Sequence, residues 1–269
     1  PAPTVVDPPN QTVCAGEQVE ILFSGTGNPN FNWTNNNPAI GLGTIGTGDI
    51  LFDAANVVVP ATGTITVTPN EAGCPGPAQQ FSITVNPAPG VNQPNDLSVC
   101  AGGMVLTNFT GTPGATFNWT NDNPAIGLSV SGTGNINFTA ANVGMPTTGN
   151  ISVTPSLSGC PGIAQNFTIN INPLPTIAIL SVDCASDLLT YDIDLSSSGT
   201  NLSSTAGTVS GSGGNFTISG IPAGTNVTIT STISATGCQT QQSVNAPNCN
   251  CPPVTAASNP NSPAICEGN

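Results

Sequence analysis

The feature that most constrains this chain is a duplication built around its two tryptophans. The stretch Phe31-Asn32-Trp33-Thr34 returns 86 residues later as Phe117-Asn118-Trp119-Thr120. A fixed period of this kind is typical of repeat architectures, so residues 1–172 are predicted to be two copies of one module. The same offset relates the pairs Cys14 and Cys100, Phe52 and Phe138, Gly63 and Gly149, Cys74 and Cys160, Phe81 and Phe167, and Pro87 and Pro173.

The aromatic pair of each copy is predicted to be the core of a small β-sandwich. Side chains at positions i and i+2 of a strand point to the same face, which places Phe31 with Trp33 and Phe117 with Trp119. The alternative is that the tryptophans are exposed platforms on which sugars stack. The shared face with a phenylalanine favours burial.

Alternation of apolar and polar residues marks the strands, and no stretch has helical periodicity. In the first copy, apolar residues recur at every second position around Val19, Trp33, Phe52, Ile65 and Ile83. Short strands separated by Gly-, Asn- and Pro-rich turns predict an all-β chain. The fold class is therefore predicted to be a tandem array of Ig-like (PKD-like) β-sandwich modules of about seven strands each.

Proline-rich tripeptides begin the predicted modules and are expected to form short, stiff joints. The predicted units are module one (residues 1–86), module two (87–172), a divergent module three without tryptophan (173–251), and residues 252–269. The motif Ile265-Cys266-Glu267-Gly268 resembles Val13-Cys14-Ala15-Gly16. Residues 252–269 are therefore expected to be a linker and the start of a further module, or a strand exchanged with another subunit.

The chain contains no Lys, Arg or His against 13 acidic residues. Without cationic side chains it has no basic patch for nucleic acid or an anionic membrane surface. It also lacks the His and Lys bases and the Arg clamps on which most enzymes depend. No apolar run is long enough to span a membrane. The chain is expected not to be an enzyme, to have no catalytic residue, and to bind neither nucleic acid nor membrane.

Nine cysteines in a chain this poor in charge indicate an oxidising, extracellular compartment. Cys14 and Cys74 are 60 residues apart, as are Cys100 and Cys160, which suggests one bridge within each module. In an Ig-like sandwich, however, the two members of such a pair would lie at opposite ends. The second scheme links neighbouring modules through Cys14–Cys160 and Cys100–Cys238.

In that second scheme Cys184–Cys249 closes within module three. Cys74 then pairs with a cysteine before it, and Cys251 and Cys266 pair with partners beyond them. The two schemes stay open at this point. Zinc binding by Cys249 and Cys251 is a minor alternative, because no further Cys or His pair accompanies them.

Other residues are candidates for ligand or modification sites. Asp192 and Asp194 share a strand face near Asp183 and Asp187, a set that suits Ca²⁺, although a solvated acidic face is the simpler interpretation. Asp122 suits Ca²⁺ less well, because module one has Asn36 at its place. No metal site and no cofactor are expected. Candidate glycosylation sequons begin at Asn10, Asn108, Asn150, Asn201 and Asn226.

The motifs Val-Cys-Ala-Gly, Phe-Asn-Trp-Thr-Asn-x-Asn-Pro-Ala-Ile-Gly-Leu and Gly-Cys-Pro-Gly resemble the PKD-like and Ig-like repeats of large Bacteroidota surface adhesins exported by type IX secretion. The resemblance covers modules one and two and is looser for module three. It implies a non-catalytic, extracellular stalk, fibre or filament on a bacterial cell surface. Its partners would be neighbouring modules, copies of itself or glycans. The alternatives are an adhesin module that binds carbohydrate or a host or biofilm surface, and a fibre subunit polymerised by donor-strand exchange through residues 254–269.

Overall fold

The computed structural model describes residues 2–250, in which nearly all regular structure is β-strand. Module one has eight strands, which are β1 (Gln11–Cys14), β2 (Gln18–Ile21), β3 (Asn30–Asn35), β4 (Ile45–Thr47), β5 (Ile50–Asp53), β6 (Ala61–Glu71), β7 (Cys74–Pro75) and β8 (Gln79–Asn86). The larger sheet has the order β1-β8-β6-β3-β4, with the short β7 added to β6. The second sheet is the pair β2-β5.

The first strand of module one pairs in parallel with the last strand. In this register Gln11 lies opposite Ile83 and Cys14 opposite Asn86. All other strand pairs of the module are antiparallel. Because β1 and β8 run in the same direction, the end of the first strand lies beside the residue at which the chain leaves the sandwich. Cys14 is thereby placed at the C-terminal end of its module.

Module two repeats this arrangement in detail. Its strands are β9 (Leu97–Cys100), β10 (Met104–Thr107), β11 (Thr116–Asn121), β12 (Ser131–Thr133), β13 (Ile136–Thr139), β14 (Thr147–Leu157), β15 (Cys160–Pro161) and β16 (Gln165–Asn172). The larger sheet has the order β12-β11-β14-β16-β9, and β10 pairs with β13. The parallel pair is again the first strand and the last, with Cys100 opposite Asn172.

Module three is a sandwich with a different strand pairing. Its strands are β17 (Ile177–Cys184), β18 (Thr190–Ser197), β19 (Asn201–Ser204), β20 (Thr208–Ser212), β21 (Asn215–Pro222), β22 (Val227–Ile233) and β23 (Cys238–Val244). The two sheets have the orders β17-β18-β21-β20 and β19-β22-β23. The first strand here pairs antiparallel with the second strand. Its core is built around Tyr191 instead of a tryptophan.

Each of modules one and two also contains one turn of 3-10 helix, Pro38–Ile40 and Pro124–Ile126. Asn37 caps the first of these, because its side chain accepts a hydrogen bond from the Ala39 amide, and proline fits the first helical position. The turn ends at Gly41, whose φ of 99° favours glycine. It delivers Ile40 to the core, where the side chain is fully buried.

The prediction of a tandem array of Ig-like β-sandwiches is confirmed. Within residues 2–250 no helix has the length and apolarity needed to cross a membrane. The third sandwich has the seven strands expected, and the first two each have one more. The proposed exchange strand (254–269), Cys251 and Cys266 lie outside the described residues.

Candidate functional site: the disulfide-linked module joints

The joint between modules one and two is closed by a disulfide between Cys14 and Cys160, whose Cα atoms are 5.4 Å apart. Cys14 ends β1 at the C-terminal end of module one. Cys160 begins β15, which folds back on the end of β14. The tight turn before it has positive φ at Ser158 and Gly159. This hairpin projects from module two toward module one.

The joint between modules two and three has the same construction. Cys100 ends β9, and Cys238 begins β23 directly after Gly237, whose φ is also positive. The Cα atoms of this disulfide are 5.5 Å apart. Cys160 and Cys238 are 1% and 0% exposed. At both joints, therefore, the cysteine that the second of the two modules contributes, here called the accepting cysteine, is buried.

Each joint has a second covalent connection in the proline-rich backbone. Pro89 is buried in the first joint, and its carbonyl lies so close to Gly162 that a Cβ at Gly162 would overlap it. The linker is therefore packed against the hairpin that carries Cys160. The disulfide and the linker run side by side, because Cys14 lies opposite Asn86, and together they restrict the movement of one module relative to the other.

The within-module scheme, Cys14–Cys74 and Cys100–Cys160, is not the one that the structure contains. The long strand β6 separates the two ends of module one: Ala61 lies opposite Val85, near Cys14, whereas Glu71 lies opposite Cys74. Ten residues of strand correspond to about 33 Å, far beyond the reach of a disulfide. Cys74 is exposed and forms no disulfide with residues 2–250.

The third bridge closes module three on itself. It joins Cys184, the last residue of β17, to Cys249, with Cα atoms 5.6 Å apart. Cys249 follows the last strand and is buried. Zinc binding at Cys249 is excluded in this oxidised form, because the metal ligand is a thiolate and a disulfide sulfur is not one.

Together the bridges create a short covalent route through the array. The route runs from residue 2 to Cys14, crosses to Cys160, follows the backbone to Cys184, and crosses to Cys249. It contains about 40 residues, which extend to at most about 140 Å. Without bridges, residues 2–250 would extend to roughly 900 Å. The Cys100–Cys238 bridge does not lie on this route.

The core aromatics are placed as follows. Trp33 and Trp119 are 8% and 7% exposed, so neither is a platform for sugar. Phe31 and Phe117 are only half-buried and pack against the edge of each core. Their rings contact Phe23 at 5.5 Å and Phe109 at 5.9 Å between centroids. The predicted pair is thus one buried indole with an aromatic cluster beside it.

Three of the four acidic candidates for Ca²⁺ binding accept hydrogen bonds within module three. Asp192 accepts a hydrogen bond from the Gly220 amide (2.8 Å), and Asp187 accepts one from the Leu189 amide (2.9 Å). Asp194 accepts one from the Thr217 hydroxyl, and Asp183 lies opposite Asp192 in the sheet. In the described part of the chain no three acidic, Cys or His side chains are grouped as metal ligands.

An open depression crosses the larger sheet of module two, lined by Asp96, Asp122, Asn150, Asn166 and Thr168 among others. The pKa of Asp122 is lowered by hydrogen bonds from the Asn150 side chain and backbone. The pKa of Asp96 is lowered by hydrogen bonds from Thr168. Both carboxylates therefore hold strand backbone in place and stay ionised in mild acid.

The five candidate glycosylation residues are all exposed: Asn10, Asn108, Asn150, Asn201 and Asn226. At Asn150 the side-chain nitrogen, to which sugar would be attached, donates to Asp122 at 2.7 Å. A sugar on Asn150 would displace this hydrogen bond, so the geometry opposes modification there. Asn10 and Asn226 use their side-chain oxygens, as acceptors from Ser82 and Ala246.

The chain matches no protein-family model and no curated protein sequence. Among solved structures it is similar to a chain of Dpr2 Ig1-Ig2 in complex with DIP-Theta Ig1-Ig3 (12% identity, TM-score 0.37, 91% of this chain and 99% of that one). It is also similar to the N-terminal eight Ig domains of Down syndrome cell adhesion molecule (15%, TM-score 0.39, 91% and 42%). A third is the I9-I11 tandem from titin (7%, TM-score 0.34, 90% and 97%).

Since the TM-scores and identities are low, these likenesses add nothing to what the sheets themselves show. The chain is a tandem array of Ig-like sandwiches.

Proposed function

We propose that this chain is a structural, non-catalytic segment of an extracellular stalk or filament, built to keep its length under tension. The observation that carries the proposal is the short covalent route through the joints. Under a pull on the two ends, tension passes through residues 2–14, 160–184 and 249–250. The residues between these segments lie inside closed loops and are not stretched.

The composition supports the same function. Disulfides persist outside the cytosol, which is where a surface filament needs them. A chain without Lys, Arg or His has few groups for catalysis and many Thr, Ser and Asn for a soluble surface. The motif resemblance adds the cellular context of the proposal, a Bacteroidota cell surface reached by type IX secretion.

Single-molecule force measurement tests this proposal directly. Handles at the two ends of the chain report the total contour length after all modules have unfolded. The oxidised chain should reach a contour length shorter than the fully reduced chain by roughly 750 Å, because about 210 residues are held in closed loops. Equal lengths before and after reduction would sink the proposal.

Two double variants form a matched pair for this experiment. With Cys14→Ser and Cys160→Ser, the shortest covalent route must cross between modules at the Cys100–Cys238 bridge. The contour length of the oxidised chain should then increase by roughly 250 Å. With Cys100→Ser and Cys238→Ser, which also removes one bridge, the length should not change. An equal effect of the two pairs would show that tension follows some other connectivity.

One observation favours a second candidate, an adhesin module that binds carbohydrate. The depression of module two has Asp96 and Asp122 where module one has Asn10 and Asn36. A purely structural module does not require these two differences between Asn and Asp. Glycan-array binding that is lost with Asp96→Asn and Asp122→Asn would support an adhesin. An array without signal would exclude this candidate function.

The third candidate is a fibre subunit polymerised by donor-strand exchange. Residues 254–269, which would supply the strand, lie outside the described part of the structure. Deletion of these residues should abolish fibre formation in this case and leave it intact for a simple tandem array.

A further inference from the structure

Cys74 occupies the position at which the other two modules accept a bridge. The glycine before it has a φ of 83°, as has Gly159 before Cys160, and Gly237 before Cys238 has 73°. Cys74 and Cys160 each begin a two-residue strand on the hairpin at the N-terminal end of a module. Cys160 and Cys238 are buried and bonded to the module before them, whereas Cys74 is exposed.

The surface around Cys74 is already shaped like the accepting side of the joint between modules one and two. The carbonyl of Pro3 lies against Gly76 as that of Pro89 lies against Gly162. The left-handed residue of the hairpin is Ala72 in one module and Ser158 in the other, with φ values of 49° and 52°. The face is therefore preformed before any partner is bound.

We propose that Cys74 and the hairpin around it accept a further module of this same repeat. The partner is an Ig-like module whose first strand ends in cysteine, as β1 ends in Cys14 and β9 in Cys100. The chain already forms this interface twice, at the Cys14–Cys160 and Cys100–Cys238 joints, and a module bonded to Cys74 would continue the series. This inference rests on the proposed function, because it extends the same series of joints by one.

The bond is an ordinary thiol oxidation. The Cys74 thiol and the partner thiol lose two protons and two electrons as one S–S bond forms. A small-molecule disulfide such as oxidised glutathione accepts both electrons and both protons, and it is converted into two thiols. No other group is consumed.

A chain with one additional module tests the proposal. A copy of residues 1–86 is placed before Pro1, so that its Asn86 is followed by Pro1-Ala2-Pro3. This joint has the same sequence as the natural Asn86-Pro87-Ala88-Pro89. After refolding in a glutathione redox buffer, pepsin digestion and mass spectrometry should find Cys14 of the copy bonded to Cys74 of the original module one. Cys74 of the copy should remain alkylatable.

The natural Cys14–Cys160 bridge serves as the internal control for folding. If that bridge forms while the original Cys74 stays alkylatable, or while the added Cys14 bonds to its own Cys74, this inference is wrong and the proposed function stands. If the natural bridge is also missing from the unmodified chain, the joint architecture and the proposed function fail together. With Cys74→Ser in the original module, the added Cys14 should be left as a free thiol and the natural bridges should be unchanged.

Discussion

The indole ring of Trp119 lies directly over Gly132, the residue opposite it in the neighbouring strand. A Cβ at Gly132 would overlap the ring, and the same holds for Trp33 and Gly46. The Trp119 indole N–H also donates to the carbonyl of Gly134 at 3.1 Å. Each tryptophan is thus covered by a strand that has no side chain at the point of contact.

We expect Gly132→Ala to destabilise module two by about 1–3 kcal/mol, because the added methyl group forces the ring or the strand to move. Thermal unfolding followed by tryptophan fluorescence measures the change. The matched control is Gly144→Ala, since a Cβ there meets no atom of the described structure within 4 Å. Equal effects of the two substitutions would contradict the packing described.

A buried asparagine holds the loop after β11. The Asn121 side chain donates to the carbonyls of Asn123 (3.1 Å) and Leu128 (2.9 Å), and it accepts from the Asn123 amide (3.1 Å). Asn121→Ala should cost about 2–3 kcal/mol, because buried backbone groups lose their partner. Denaturant unfolding measures this cost. The exposed Asn118 on the same strand is the control, and Asn118→Ala should change stability little.

Acid should remove the contribution that the ionised Asp122 carboxylate makes to the stability of module two. Its pKa in the folded state is held below the ordinary value of 3.8 by the hydrogen bonds from Asn150. The stabilisation is therefore present above pH 3.8 and is lost as the pH falls through the lower folded-state pKa. The variant Asp122→Asn keeps a neutral acceptor, as Asn36 does for the Thr64 amide in module one.

The stability difference between wild type and Asp122→Asn should hence be constant near neutral pH and shrink in acid. Urea midpoints measured from about pH 7 to about pH 3 give this difference. Asp53→Asn is the control, because Asp53 is an exposed carboxylate of module one. A difference that grows in acid would contradict a lowered pKa at Asp122.

The single tyrosine of the chain reports on module three alone. Tyr191 is fully buried, and its hydroxyl donates to the Thr225 carbonyl at 2.6 Å. Burial raises its pKa above the ordinary value of 10.0. The corresponding stabilisation is present below about pH 10 and is lost as the pH rises through the raised value.

Ultraviolet titration of the folded protein should therefore show phenolate forming above the pH at which it forms in urea. Tyr191→Phe should abolish the signal and destabilise module three by about 1–2 kcal/mol, because the Thr225 carbonyl loses its donor. Phenolate that forms at the same pH in both states would show that the ring is accessible to water.

Much of this fold could be predicted because the duplication supplies the same evidence twice. Alternation located the strands that bury Val19, Trp33, Ile65 and Ile83, since one face of each is apolar and the other polar. The short strands Ile45–Thr47 and Cys74–Pro75 were not predicted, because three or two residues cannot establish a period. The one-turn helices were not predicted for the same reason.

The pairing of the cysteines could not be predicted from their spacing alone, because it depends on how the strands are paired. The equal separation of 60 residues suggested a bridge within each module. The parallel pairing of β1 with β8 decides otherwise, because it carries Cys14 to the end of the module opposite Cys74. In module three the first strand, β17, pairs antiparallel with β18. The first two modules contain no such pairing, so it could not be predicted from their sequence pattern.

The three bridges also overlap along the chain, and this has a consequence for durability. The loop closed by Cys14–Cys160 overlaps the loop closed by Cys100–Cys238, which in turn overlaps the one closed by Cys184–Cys249. Every peptide bond from Cys14 to Cys249 thus belongs to at least one ring. A single scission anywhere in this span, by a hydrolase or by chemical degradation, would open one loop, or two where the loops overlap, and release no fragment.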